Sequence, residues 1–531
     1  MKTSQIPYRD IRYFSSLIKG YLEQDPSLES LFNNYPTLEN FEKQIAEKSA
    51  QKNLDKNRLV LQQVLRDQYE DLSNKASSLN NVESLADHKT FTITTGHQLN
   101  LFTGPLYFLY KIITVINLCN QLKENYPEYN FVPVYWMATE DHDFEEIKFF
   151  NFDDKKLVFE HHGEHGAVGR MSTEGLNKVK NELQLLLGKS LYAKELINLF
   201  QDSYSRSDLA QATRALAHEL FKDDGLVIVE ADDYRLKDLM IPFFKEELVD
   251  KLSFKRVSET LENWPNEHKV QVTPREINLF YLTDTYRARI IEKSGRYYVD
   301  ENEISWTQEE IIAELEKHPE RFSPNVIMRP LYQEVILPNL CYIGGGGELA
   351  YWLELKEYFK SQEIPFPMLL LRNSALLITA KQSQKIKDLG LKIADLFLER
   401  HEIDKYIAQH HSTVKIDFED QKSFLQSQFE ELYQIASQTD ESFTGAVAAQ
   451  ERKQLKGLEN LEKRLLKAQK RKQVDYIERM HELRNRLFPN DSLQERQANF
   501  SMFYKDLGPD LISILKKSLD PLEPSFTIIE L

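Results

Sequence analysis

The chain has 531 residues, 41% of them apolar, and a formal charge of −16; that length holds roughly three domains at about 150 residues each, and no segment reads as disordered. The acidity argues against a nucleic-acid backbone as main partner, since binding one needs a basic face. No run approaches the ~20 apolar residues of a membrane span, and "MKTSQIPYRDIRYF" lacks the apolar centre of a signal peptide, so a soluble cytoplasmic protein with no membrane partner is expected.

Residues 1–90 read as mostly helical and charged, broken near "YLEQDPSLESLFNNYP". "FTITT" (91–95) has the β-branched alternation of a strand. Pro105 suits the first turn of a helix capped by Thr103 or Gly104 and running to about residue 122. "FVPVYWMA" (131–138) follows as a second strand, completing a βαβ unit of right-handed sense. "IKFFNF", "KLVFEHH" and "AVGRMS" read as short antiparallel strands, and helical patterns fill about 173–222.

"GLVIVE" (225–230) is the kind of apolar strand buried in a parallel sheet. "KVQVT", "INLFYL", "RARIIE" and "RYYVD" are again short strands. The segments at about 150–222 and 265–322 are therefore read as insertions into one α/β core spanning 1–380. That core resumes with "CYIGGGGELAYWLEL", a strand, a glycine turn and a helix, and "FPMLLLRNSALLI" (366–378) repeats the strand-then-helix pattern.

Residues 381–510 read as a helical coiled-coil domain. Leu458, Leu461, Leu465 and Ala468 have three-four-three spacing, lost at Lys472 and resumed by Ile477, Met480 and Leu487. "PNDS" (489–492) ends the run, and 511–531, closing on "FTIIEL", is a segment returning to the core. "KAQKRK" (467–472) is a solvated helix face or an anion contact. Cys119 and Cys341 have no CxxC spacing, so both read as buried thiols and no thiolate zinc site is expected.

Four polar constellations lie just past expected core strands, where open α/β sheets bind ligands. The first is Thr94, Thr95, Gly96, His97 and Gln98. Gly96 lets the backbone approach a ligand, the amides leading into the next helix favour an anion, and a neutral His97 has one hydrogen bond to donate. The loop is neither GxxxxGK[ST] nor GxGxxG, and a histidine capping a tight turn is the plainer alternative.

The second is Glu140, Asp141, His142 and Asp143. So many acids at a strand end repel one another unless a cation or donors satisfy them, so Asp141 and Asp143 are candidate ligands for Mg²⁺ or an amine; a hydrogen-bonded turn is the alternative. The third is Gly344, Gly345, Gly346 and Gly347 followed by Glu348. Four glycines in a row cost backbone entropy, which points to close approach of a ligand or of another backbone. Glu348 either holds an amine or favours the helix macrodipole. The fourth comprises Arg329 and Gln333, with Arg372, Asn373 and Ser374 of "LRNS"; either arginine grips a carboxylate or makes a structural ion pair. Asp232 and Asp233 are read as acids at a helix start.

In their order, "TGHQLNLFTGPLYFLYK", "VPVYWMATEDHDFEEI", "GLVIVEADD", "SPNVIMRPLYQEVILPNLCYIGGGGELAYW" and "LLRNS" resemble the cysteine-ligase family of bacillithiol biosynthesis, the bacillithiol synthases, over nearly the whole chain. The resemblance implies a Rossmann-type core akin to class I aminoacyl-tRNA synthetases and nucleotidylyltransferases, two connecting insertions and a coiled coil that forms a homodimer. It implies addition of cysteine to glucosaminyl-malate, two small-molecule substrates.

Amide formation needs an activated carboxyl and a deprotonated amine, so ATP and Mg²⁺ are the cofactors such activation calls on. His97 and the Gly96 region, with Thr95 and Gln98, are then assigned to the activated phosphate or carboxyl. Asp141 and Asp143 are assigned to metal or amine, and His142 to a base. Arg329, Gln333, Gly344 to Gly347, Glu348, Asn373 and Ser374 are assigned to substrate. Thr94 stands where the class I signature has its first histidine, and "LRNS" stands near the place of its lysine-rich one. The competing readings are another class I-like nucleotidyl or acyl transferase acting on a small amine, and a non-enzymatic coiled-coil scaffold.

Overall fold

The computed structural model describes residues 2–161, 166–300 and 304–531, so His162 of "KLVFEHH" lies outside the described residues. The chain divides into two compact units, one of Thr3–Leu376 with Gln494–Thr527, the other chiefly of Leu377–Leu493 with Ile528–Leu531.

At the centre of the first unit is a five-stranded parallel sheet of β1 (Thr90–His97), β2 (Asn130–Met137), β3 (Val227–Glu230), β4 (Asn339–Gly344) and β5 (Met368–Leu371), in the order β5-β4-β1-β2-β3. The strands are apolar runs because both sheet faces are covered. On β1, Phe91 and Ile93 enter a core cluster with Val115, Leu118, Leu340 and Ile343. Thr92 and Thr94 alternate with them and donate to Asn339 Oδ1, at 3.3 and 2.8 Å. Cys119 and Cys341 are free thiols in the same cluster, and burial pushes the pKa of both up.

Helix α1 (Tyr107–Asn125) carries the chain from β1 to β2. The strand order runs outward through β1, β2 and β3, then turns back to place β4 on the other side of β1. The switch point of the sheet thus lies between β1 and β4, where ligands of such folds collect.

Several local readings change. Helix α1 starts at Tyr107, after Phe102, Thr103 and Gly104 at φ 48, 66 and 62°. Distant groups hold this bend: Tyr204 Oη accepts from Phe102 N at 2.7 Å, and Asn499 Nδ2 donates to the carbonyls of Phe102 and Gly104 at 2.8 and 2.7 Å. Thr103 and Gly104 therefore do not cap the helix. "AVGRMS" is not a strand but a turn at Val168–Arg170, because Gly169 packs on Thr139 and donates to its carbonyl at 2.8 Å.

"KVQVT" pairs with no strand; its Gln271 and Val272 amides are taken by the Glu354 carboxylate at 2.6 and 3.2 Å. Phe149–Phe152 and Lys155–Val158 form the expected hairpin. Leu279–Leu282, Arg287–Lys293 and Arg296–Val299 belong to a five-stranded antiparallel sheet closed by Ser305–Trp306 and Phe322–Pro324. Ala375–Ile378 is a strand rather than a helix start, since the capping box of Thr379 and Gln382 opens the next helix only at Ala380. Lys2–Pro7 is a further strand, and Ser525–Glu530 is the expected terminal one.

Helices dominate the second unit. Glu419–Ala436 packs on Glu441–Lys472, with Phe429, Ala436 and Val447 buried between them. The expected loss of register falls at Gln473, where the helix breaks (φ −103°, ψ 21°) before Val474–Leu487. Leu461 stays exposed, so the seam is not the whole expected leucine stripe. Among the described residues no helix is long and apolar enough to cross a membrane.

Candidate active site

The carboxyl ends of β1, β2 and β4 open into a cleft of about 680 Å³ within the first unit. Gly96, His97 and Gln98 come to it from β1, Met137 to His142 from β2, and Tyr342 and Glu348 from β4 and helix α3 (Gly346–Leu353). Arg329 opens helix α2 (Arg329–Ile336) on one wall, and Phe280 and Arg287 of the antiparallel sheet form another. Three polar loops far apart in the chain thus share one opening at the switch point.

His97 is buried, with its ring between Tyr107 and Phe108. Desolvation, aided by Lys111, lowers its pKa to about 3, so the ring is neutral. Its Nε2 is buried and has no partner among the described residues. Gly96 is closely overlaid: a Cβ there would lie 3.0 Å from Tyr342 Oη and 3.8 Å from Arg329 Nη1. Gln98 Nε2 donates to Asp141 Oδ2 and to Glu146 Oε2, both at 2.9 Å. The other Asp141 oxygen accepts the amides of His142 (2.8 Å) and Asp143 (3.4 Å). The His142 ring lies 3.0 Å from Arg287 through Nδ1, and burial with the arginine charge lowers its pKa.

Arg329 is the unusual cation. Its guanidinium donates to Gln333 Oε1 at 3.1 Å and Tyr351 Oη at 3.3 Å, and it lies 5.6–6.0 Å from the ring centres of Trp136, Tyr342 and Trp352. Among the described residues it makes no direct ion pair, and the acid that acts on it, Glu348, is bonded to others. Glu348 is the opposite case, holding Lys111, Tyr342 Oη (2.7 Å) and Gly345 N (2.8 Å). Burial alone would raise its pKa, but these donors outweigh burial and keep the carboxylate below its usual range.

Other expected site residues lie behind the wall. Thr95 Oγ1 bonds the Ile343 carbonyl at 2.7 Å, tying β1 to β4. Gln333 is spent on Arg329 and on Glu334 (2.9 Å). Gly344 to Gly347 carry no positive φ and do not line the cleft. Gly344 is pressed against Leu349 and Glu348, and Gly346 against Ile18, so close packing within the protein accounts for two of the four. Asp143 is exposed and caps Phe144–Ile147 by accepting from Glu146 N at 3.3 Å. Asn373 is held by Thr114 and by the Asp520 carbonyl, and Ser374 by Arg372 and Glu495. Asp232 pairs with Arg170, and Asp233 caps Tyr234–Asp238.

The sequence reading missed Lys111, Tyr342 and Arg287 and left Glu140 without its partner, the buried Lys237. Lys111 left a trace as the one charge in "FLYKIITVI"; its ammonium holds the Gly96 carbonyl at 2.7 Å. Arg287 left none, because its place depends on how the insertion folds over the sheet. No group of three or more His, Cys, Asp or Glu side chains is placed to hold a metal among the described residues. Both Asp141 oxygens accept protein donors, and Asp143 is exposed and caps the helix that follows.

Two family models match end to end. Residues 1–373 fit the N-terminal Rossmann-like domain of bacillithiol biosynthesis BshC, and 375–531 fit its C-terminal coiled-coil domain. The chain belongs to the BshC family. A Flavobacterium johnsoniae protein named "Putative cysteine ligase BshC" is 56% identical over the full length of both chains. One of the same name from Christiangramia forsetii is 54% identical, over 100% of this chain and 99% of its own. Another from Cytophaga hutchinsonii is 37% identical over 97% of each. The Rossmann-like core expected from the motifs is thus the family's own, and the parallel sheet is its physical form.

Proposed function

We propose that the cleft joins cysteine to glucosaminyl-malate through an amide bond, the last carbon–nitrogen bond of a low-molecular-weight thiol. The support is the family membership together with one observation: Arg329, which makes no direct ion pair among the described residues, presents a largely desolvated guanidinium to the same opening as His97 and Asp141. A buried charge left unpaired is costly, so this one fits a ligand anion, and its fork matches a carboxylate.

Arg329 and the backbone beside Gly96 hold the carboxyl, with Tyr351 and Gln333 fixing the plane of the guanidinium. Lys111 and Glu348 neutralise each other and set the wall position of Gly96. Asp141, oriented by Gln98, presents its charge to the amine. Fixing two reactants in one cleft supplies the proximity that an amide-forming step needs. ATP, when bound, supplies the group that activates the carboxyl, and its anion fits the same Arg329 region. No step is assigned to Mg²⁺. The apolar groove of Phe424, Leu425, Leu458 and Leu461 on the helical hairpin is where we place a homodimer contact.

Purified protein incubated with cysteine, glucosaminyl-malate and ATP is expected to yield the cysteinyl thiol by mass spectrometry. Arg329→Met should form it at least about tenfold more slowly, the loss typical of a hydrogen bond to a charged group. Undiminished product from that variant would remove the observation on which the reading stands. Light scattering of the full chain tests the dimer.

A further inference from the structure

Arg329 and Gln333 stand one turn apart on α2, a spacing at which an acid would pair with the arginine. The acid comes one residue later. Glu334 is fully buried, and Asn339 Nδ2, Gln333 Nε2 and Lys48 Nζ donate to its carboxylate at 2.7, 2.9 and 3.2 Å. Lys48, from the helix Asn40–Ser49, is buried as well and also donates to the Glu334 carbonyl at 2.8 Å. Asn339, at the start of β4, takes the Thr94 hydroxyl at 2.8 Å through its oxygen, which leaves its N–H groups for Glu334.

Gln333 therefore bridges a carboxylate and a guanidinium. The first only accepts and the second only donates, so the amide fits between them one way round, with Nε2 on Glu334 and Oε1 on Arg329 Nη1 at 3.1 Å. Tyr351 Oη takes the other arm of the guanidinium at 3.3 Å. Both oxygens that orient Arg329 are neutral. A carboxylate at position 333 would instead satisfy the arginine within the chain, as Glu495 satisfies Arg372 at 2.7 Å. An amide of the same size, clamped from behind, supplies orientation without neutralisation.

We propose that Glu334 is a positioning residue for the ligand anion: held by Lys48 and Asn339, it turns the Gln333 amide so that Arg329 is aimed by a neutral oxygen and keeps its charge for a ligand carboxylate. Glu334 acts on the ligand only through Gln333 and Arg329. The identity of that carboxylate, the cysteine carboxyl, rests on the amide-forming reading. The orientation of the amide does not.

Two double variants of the full-length protein separate this role from a structural one, with cysteine binding read by calorimetry. Both remove the buried Lys48–Glu334 pair, a replacement often neutral or stabilising when the new side chains have similar volume. Lys48→Met with Glu334→Gln keeps an oxygen for the Gln333 amide and should bind cysteine within about threefold of wild type. Lys48→Met with Glu334→Leu keeps none, frees the amide to turn, and should bind about tenfold more weakly, the worth of a hydrogen bond to a charged group. Gln333→Glu gives Arg329 an internal partner, so it should weaken cysteine binding at least about tenfold and, in turnover, raise KM with kcat within about threefold; this arm decides if either double variant fails to fold. Equal cysteine affinity in the two double variants, or wild-type affinity in Gln333→Glu, overturns the proposal. Wild-type protein that binds cysteine without forming the thiol would end the amide-forming reading alone, and the order of the variants would still decide the role of Glu334. Wild-type protein that binds no cysteine overturns both.

Discussion

Arg329, which opens helix α2, and Arg372, in the turn after β5, are desolvated guanidiniums, and their surroundings differ in one respect. Arg372 donates to Glu495 at 2.7 Å, to Ser374 Oγ at 3.1 Å and to the Asn373 carbonyl at 3.0 Å. Glu495 is fully buried and also accepts from Ala375 N at 3.0 Å. Arg329 is ringed by aromatic faces and neutral acceptors and makes no ion pair among the described residues, the nearby Glu348 being held by Lys111 and Tyr342. The first corner is electrically complete in the folded chain, while the second is left open for a ligand. Charge alone does not separate a structural arginine from a binding one; the partner does.

The largest effect comes from breaking the complete corner. Glu495→Ala strands Arg372 in the interior, and loss of one partner of a buried pair costs about 3–5 kcal/mol. Urea unfolding should show this as a lowered midpoint, with a substantial fraction of the chain insoluble. Arg329→Met is expected to do the reverse, leaving the midpoint unchanged or raised, since an unpaired charge is removed, while product formation falls about 10- to 100-fold. Similar stability losses in both variants would erase the distinction.

How far the sequence carries these two corners follows from the range of each interaction. The strands of the parallel sheet are local: "FTITT", "FVPVYWMA" and "GLVIVE" announce themselves by apolar β-branched runs, and the cleft lies where their ends fall. The glycine run is equally visible, but its cause, Ile18 against Gly346, belongs to a helix more than three hundred residues away in the chain. Glu495 is 123 residues from Arg372, and nothing in "LRNS" distinguishes an arginine with such a partner from one without. The same long range hid Arg287 above His142 and Asn499 beneath the bend before α1. Elements follow from near neighbours, while the state of a polar side chain depends on distant ones.

His97 extends the comparison to pH, because the charges of Lys111 and, less strongly, Arg372 help burial keep it neutral. Its folded pKa of about 3 lies below the ordinary value of about 6.5. Between those values the unfolded chain binds more protons, so stability rises with pH through that window and is lost as pH falls through it. Going from pH 7 to 5 should cost the wild type about 2 kcal/mol through this residue. His97→Gln lacks that share of the loss, which urea titrations at the two pH values measure as a difference of slopes. A variant with the wild-type dependence would mean that His97 titrates normally.

The smallest effect probes how tightly the open corner is built. An alanine Cβ at residue 96 would meet Tyr342 Oη at 3.0 Å, and that hydroxyl cannot simply swing away because Glu348 accepts from it at 2.7 Å and the ring stacks on Trp352. Gly96→Ala is therefore expected to destabilise by about 1 kcal/mol, the low end for added volume in a packed site. Tyr342→Phe removes the obstructing oxygen but also a hydrogen bond, at about 1 kcal/mol of its own. The double variant should then be no less stable than Tyr342→Phe alone, because the clash has gone with the hydroxyl. A coupling of about 1 kcal/mol in that cycle places the two groups in contact across the switch point, whereas strictly additive losses would mean that β1 and β4 part further at their ends than the geometry of Gly96 and Tyr342 allows.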